Sequence, residues 1–238
     1  DPATSEGVFV FTRSAPPATA AVGNTVVVRG QVMEYIPSGA DPGQTPLTEL
    51  SATRVSLVSA PPVFWPGLLP APIVLTPDFP SAAGPLDQLE RLEGMRVTIA
   101  NATVVAPTQG NTDERNASGS SNGIASVVVT GVARPFREAG ISVTDPVPGG
   151  GNPAIPRWDF SPELITLNSN GLGGERWELS YDTRITDLTG PLDYGFRRYT
   201  LVRDPSVLNT IQPGPRSNPR KAVTLAAARE LKAAIERT

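Results

Sequence analysis

The sequence predicts an all-β fold of short strands, on three observations. Gly and Pro number 22 and 26 of 238 residues, well above average usage, which points to many short elements separated by turns. Runs rich in β-branched and aromatic residues recur along the chain with turn residues between them. A valine run ending in glycine occurs twice, as "TVVVRGQV" from Thr25 to Val32 and as "SVVVTG" from Ser126 to Gly131.

Taken in order, "GVFVFT" (Gly7 to Thr12) is a short apolar strand. Thr25 to Ile36 alternates after its valines and bends around Gly30, where the lack of a Cβ permits a kink or bulge. Leu47 to Ser59 reads as one or two strands. Ala60 to Pro85 holds eight prolines and forms a surface connector, because proline lacks the N–H that an interior strand or helix needs. Leu86, Leu89 and Leu92 are spaced three apart and predict a short helix that stops at Gly94.

Met95 to Val105 alternates Val97, Ile99 and Val104 about a second bend. Polar Thr108 to Gly123 reads as a mobile loop, and Ile124 to Val132 as a strand. Residues 145 to 156 form a Gly-Pro-rich loop, and "NGLGGE" (Asn170 to Glu175) a hairpin turn. Glu163 to Leu167, Trp177 to Leu188 and Tyr199 to Val202 complete the β part. An amphipathic helix follows from about Val223 to Arg237, with Thr224 as its N-cap. Five or six twisted strands, a bend after a valine run and one helix between strands make the pattern of a small Greek-key barrel of the OB kind. The chain therefore predicts two OB-like Greek-key barrel units, over 1–85 (with the connector) and 86–205, with one short internal helix. A proline-rich linker and the C-terminal helix occupy 206–238.

The chemistry is bounded by what is missing. With no His and no Cys, His-based acid/base and nucleophilic sites, His-ligated zinc, thiolate chemistry and disulfides are excluded for this chain acting alone. No serine has an evident base, and "NGLGGE" lacks the spacing and the lysine of a phosphate loop. The chain is not expected to be an enzyme on its own. No apolar run approaches the roughly 20 residues needed to cross a bilayer. Net charge is −3, set as 6 basic against 11 acidic residues in 1–129 and 14 against 12 in 130–238. This is not the strong basic footprint of a dedicated DNA-binding domain.

Four stretches carry a resemblance: "LERLEGMRVTIANATVV" (Leu89 to Val105), "GVARPFREAGI" (Gly131 to Ile141), "IPRWDFSPELITLNS" (Ile155 to Ser169) and "LTGPLDYGFRRYTLVRDP" (Leu188 to Pro205). In this order they resemble the region before the catalytic domain in large secreted bacterial nucleases of the endonuclease/exonuclease/phosphatase superfamily. "GVFVFT" and "VGNTVVVRGQVMEY" are similar to the OB-like module that precedes it. The resemblance implies a secreted or cell-surface bacterial protein whose leader lies outside these residues. It also implies a first strand, absent before "GVFVFT", and a nuclease catalytic domain that does not follow Pro205. The reading is thus a non-catalytic accessory module that binds nucleic acid or positions a nuclease domain in a longer chain.

OB folds bind strands with aromatic platforms and basic grooves. The nucleic-acid candidates are accordingly Arg134, Phe136 and Arg137, Arg157 beside Trp158, Arg176 beside Trp177, and Arg197, Arg198 and Tyr199. The alternative is a structural, self-assembling module, because a barrel lacking its first strand leaves an edge open to strand complementation, a homo-oligomer or a filament. No cofactor is called for. Calcium at Asp182, Asp187 and Asp193 is a lesser reading, since these residues lack the dense alternation of an EF-hand loop.

Overall fold

The computed structural model describes residues 4–36, 46–63, 66–113, 115–116, 118–133, 135 and 161–214. It is nearly all β, with an open N-terminal sheet and a closed barrel. The sheet contains β1 (Phe9–Phe11), β2 (Thr25–Tyr35) and β3 (Leu47–Ser59) in the order β1-β3-β2. β1 lies parallel to β3, and β2 and β3 form a long antiparallel hairpin. The register of that hairpin slips between Arg29 and Gly30, where the Thr53 hydroxyl donates to the Arg29 carbonyl at 3.0 Å. Gly30 is required there, since a Cβ would stand 2.2 Å from the Ser51 carbonyl oxygen. The bend expected at Gly30 is this bulge.

The barrel begins with β4 (Ile73–Leu75) and β5 (Arg96–Ala106), continues through a side hairpin of β6 (Gly110–Asp113) and β7 (Ser118–Ser121), and returns as β8 (Ile124–Val129). β9 (Ile165–Asn168), β10 (Arg184–Asp193), β11 (Thr200–Val202) and β12 (Ile211–Gln212) follow. Five of these strands close a ring: β5 pairs with β8, β8 with β9, β9 in parallel with β11, β11 with β10, and β10 with β5. β8 is too short to cover β5, so β4 takes the remainder of that edge. β12 does the same for β10 beside β11.

Inward positions of the ring are fully buried aliphatic residues, among them Val97, Ile99, Val104, Val127, Ile165, Leu167, Ile185, Leu188 and Leu201. β5 and β10 switch their buried face at the same level. Val97 and Ile99 point in, Ala100 and Asn101 are both exposed, and Ala102 and Val104 point in again. Opposite them Ile185 and Leu188 point in around Asp187. Asp187 adopts a left-handed backbone (φ 53), and the Asn209 amide donates to the carbonyls of Thr186 and Asp187 at 3.0 and 2.9 Å. The bend expected in the Met95 to Val105 run is thus shared by two paired strands.

Several elements differ from expectation. The first unit is an open three-stranded sheet among the described residues, and the closed barrel is the second. The barrel reaches back to Ile73 and on to Gln212, residues that boundaries at 85 and 205 place outside it. Leu86 to Leu92 forms successive i→i+3 turns ending in a single 3-10 turn, Glu90–Leu92. A spacing of three is the 3-10 repeat, and it buries Leu89 and Leu92 while Leu86 stays exposed. The polar stretch at 108–123 contains the β6–β7 hairpin, whose turn is held by Asp113 accepting from the main-chain N–H groups of Arg115 and Asn116. The C-terminal helix lies outside the described residues.

Replacing Leu188 with Ala, at a site with no exposure, is expected to cost about 2–5 kcal/mol in urea unfolding. Leu208→Ala, 92% exposed, should stay within about 0.5 kcal/mol of the parent.

Candidate functional site

Of the sequence-selected basic and aromatic residues, Arg134, Phe136, Arg137, Arg157 and Trp158 lie outside the described residues, as does the Arg197 side chain. Arg176 is exposed and donates from Nη1 to the Ser121 carbonyl at 3.0 Å, tying the 170–176 turn to β7. Trp177 is buried, with the Arg203 guanidinium 4.2 Å from its ring centroid. Tyr199, a candidate stacking platform by its place after two arginines, belongs to the interior. Its ring is buried against Tyr194 at 4.8 Å, and its hydroxyl donates to Glu90 Oε2 at 2.8 Å. Arg198 is exposed. The described members of the set therefore do not converge on one groove.

One aromatic that the sequence reading passed over stands out. Phe196 sits in the 3-10 turn Gly195–Arg197 between β10 and β11, fully exposed at 100%. Its backbone is left-handed (φ 52, ψ 32), a conformation that is rare for a bulky residue. The signal was present in "YGFRR", where the phenylalanine lies between a glycine and the two arginines.

The calcium candidates are also dispersed. Asp182 is paired with Arg184 at 2.9 Å, Asp187 forms the β10 bend, and Asp193 ends β10. Among the described residues, no three acidic side chains are placed to hold a metal ion.

The open sheet presents a second kind of surface. β2 is bonded on one edge only, to β3, among the described residues, which leaves eleven residues of unpaired backbone. The strand alternation sets Phe9, Phe11, Met33 and Tyr35 on one face, where the register makes Phe9 and Met33 both neighbours of Glu49. All four are exposed. Val32, on the opposite face, is 68% exposed. An apolar, unpaired edge of this length is what sheet proteins ordinarily avoid.

Where this sheet meets the barrel lies a cleft of about 790 Å³, walled by Ser5, Thr48, Phe79, Asp87, Glu90 and Glu93 among others. The Ser5 hydroxyl donates to the Glu93 carbonyl and accepts from the Gly7 N–H. Gly94 ends the turn with φ 73, and a Cβ there would meet the Gly7 backbone at 2.9 Å, so glycine allows the two segments to touch. Thr48 donates to the Glu34 carboxylate at 3.1 Å. Carboxyl groups dominate the electrostatics. Burial, with Glu90, Asp193 and Glu34 close by, pushes Glu93 up to about 8. Glu90 and Asp193 are also raised, chiefly by burial. Burial and the bond to Glu90 hold the Tyr199 hydroxyl protonated.

Glu93 favours its protonated form in the fold. Its contribution to stability is therefore complete below the ordinary value of 4.5 and is lost as pH rises through about 8. The melting temperature should fall across that window, and Glu93→Gln, which keeps the neutral shape, should flatten the fall. An unchanged profile in the variant would assign the loss to other groups.

No curated protein and no solved structure is significantly similar to the chain. A family model described as a domain of unknown function, DUF8508, matches residues 73–213. That span, more than half the chain, opens on the first residue of β4 and ends one residue beyond β12. The chain belongs to the DUF8508 family, and the family's domain is the closed barrel.

Proposed function

We propose that the chain is a non-catalytic β-module that acts by joining to a second copy of itself through the free edge of β2. The observation that carries this reading is the eleven-residue strand β2, whose outer edge has no partner among the described residues and which exposes apolar side chains on both faces. Unpaired N–H and C=O groups template a further strand. Paired antiparallel about Gly30, two copies would set Val28 against Val32 and Val27 against Met33 of the other copy, with Arg29 opposite Gln31. No like charges are opposed in that register, and cross-strand apolar pairs of this kind stabilise sheets. The barrel, with its ring order and its parallel β9–β11 pair, is read as OB-type. An accessory role beside an extracellular nuclease is the wider setting that the sequence resemblance supplies.

A second reading, nucleic-acid binding, is favoured by Phe196. A fully exposed ring next to Arg198 offers a stacking surface worth about 1–3 kcal/mol per base, on the turn between the last two ring strands, a loop that OB folds use for ligands. The carboxyls of Asp193 and Glu90 close to that turn oppose phosphate and rank this reading second.

Light scattering across a concentration series decides the first reading. The parent should dimerise and Val32→Lys should remain monomeric, whereas a parent that is monomeric at high micromolar concentration overturns it. Anisotropy with labelled single-stranded DNA decides the second. Salt-sensitive binding should be lost in Phe196→Ala, and equal binding by parent and variant removes Phe196 from the site.

A further inference from the structure

We propose that the outer face of the N-terminal sheet is the docking site of this chain's own C-terminal segment, residues 223–237, which lies on it as a helix with Lys232 against the Glu49 carboxylate. The free edge of β2 stays open whichever element covers the face, so the inference does not depend on how that edge is paired.

The face itself is the first observation. Thr48 and Glu34 are cross-strand neighbours on the side that looks to the cleft. Phe9, Phe11, Met33 and Tyr35, on the other side, are therefore turned away from the barrel, and they remain 39–46% exposed. An apolar sheet face is ordinarily buried by a second layer of structure.

The second observation is Glu49. It sits in the middle of this face with Phe9 on one side and Met33 on the other, and it is only 6% exposed. Among the described residues no hydrogen bond or ion pair reaches its carboxylate. A carboxylate set among apolar side chains is costly unless a cation meets it.

The third is the charge and pattern of the chain beyond Gly214. Residues 215–238 carry six basic and two acidic side chains, against 14 and 21 in 1–214. Leu225, Ala228, Lys232 and Ile235 fall at the i, i+3, i+7 and i+10 positions of one helical stripe. The stripe thus holds one cation between apolar residues, as the sheet face holds one anion between apolar residues. A helix of fifteen residues is marginal in water by itself and gains its stability from an apolar surface to lie on.

The tail is long enough. The Gly214 N–H donates to Thr183 Oγ1 at 3.2 Å, just before β10, and the sheet meets the barrel beside the Gly94 N–H, which donates to the Leu192 carbonyl near the end of β10 at 2.7 Å. The ten residues of β10 span about 33 Å. Residues 215–222 can extend about 26 Å, and a helix over 223–237 adds about 22 Å.

The test is hydrogen exchange of the full chain, read by mass spectrometry over residues 223–237. Protection of that segment is expected in the parent, unchanged on tenfold dilution. It should fall at least about tenfold in Glu49→Lys, and the double variant with Lys232→Glu should regain it. Glu178→Lys, at an exposed carboxylate on the barrel, should match the parent. If Glu49→Lys loses β structure by circular dichroism, Lys232→Glu alone carries the same expectation of lost protection. Free exchange of 223–237 in the parent, or parent-like protection in both Glu49→Lys and Lys232→Glu, overturns the proposal. Protection that disappears on dilution also overturns it, by assigning the helix to a second copy.

Discussion

The pairing of β5 with β10 is the constraint on which the rest of the barrel depends. It joins Arg96–Thr103 to Arg184–Pro191 and closes a ring that would otherwise be a curled sheet with two apolar edges. Both strands reverse their buried face at the same level, so the bend in one is useful only with the bend in the other. Asp187 accepts a left-handed backbone to achieve this, and Asn209 satisfies the carbonyls that the bend turns outward. The ion pair Arg96–Asp204, at 3.3 Å and largely buried, fastens the start of β5 to the segment that follows β11.

Much of this was legible in the sequence because it rests on local pattern. The alternation of Val97, Ile99 and Val104, the glycine after each valine run and the short strands at Glu163 to Leu167 and Tyr199 to Val202 all report period-two burial directly. What was not legible depended on partners distant in sequence. The three-residue strand β4 and the two-residue strand β12 are strands only because β5 and β10 have edge to spare. The leucine triplet carried the right period but the wrong helix, since a three-residue spacing suits a 3-10 turn as well as one face of an α-helix.

The candidate sites were less visible than the fold. Tyr199 looked like a platform because it follows two arginines, and only the fold places it beneath Glu90. Phe196 stands fully exposed in the left-handed turn between β10 and β11, an exposure that strand periodicity does not announce. The carboxyls gathered around Glu93 come from the hairpin, the 3-10 segment and the end of β10, and no sequence spacing unites Glu34, Glu93 and Asp193.

The β5–β10 pair also orders events in time. Its two strands are separated by most of the barrel's sequence, so the chain must bear the entropy of closing a long loop before the ring's core is sealed. During synthesis the N-terminal hairpin, whose contacts are local, can form while β5 still waits for β10 to emerge. For that interval β5 presents Val97, Ile99 and Val104 without their final cover. The barrel is thus a late-closing structure, and its most exposed moment belongs to the strand whose Val97, Ile99 and Val104 are completely hidden in the finished fold.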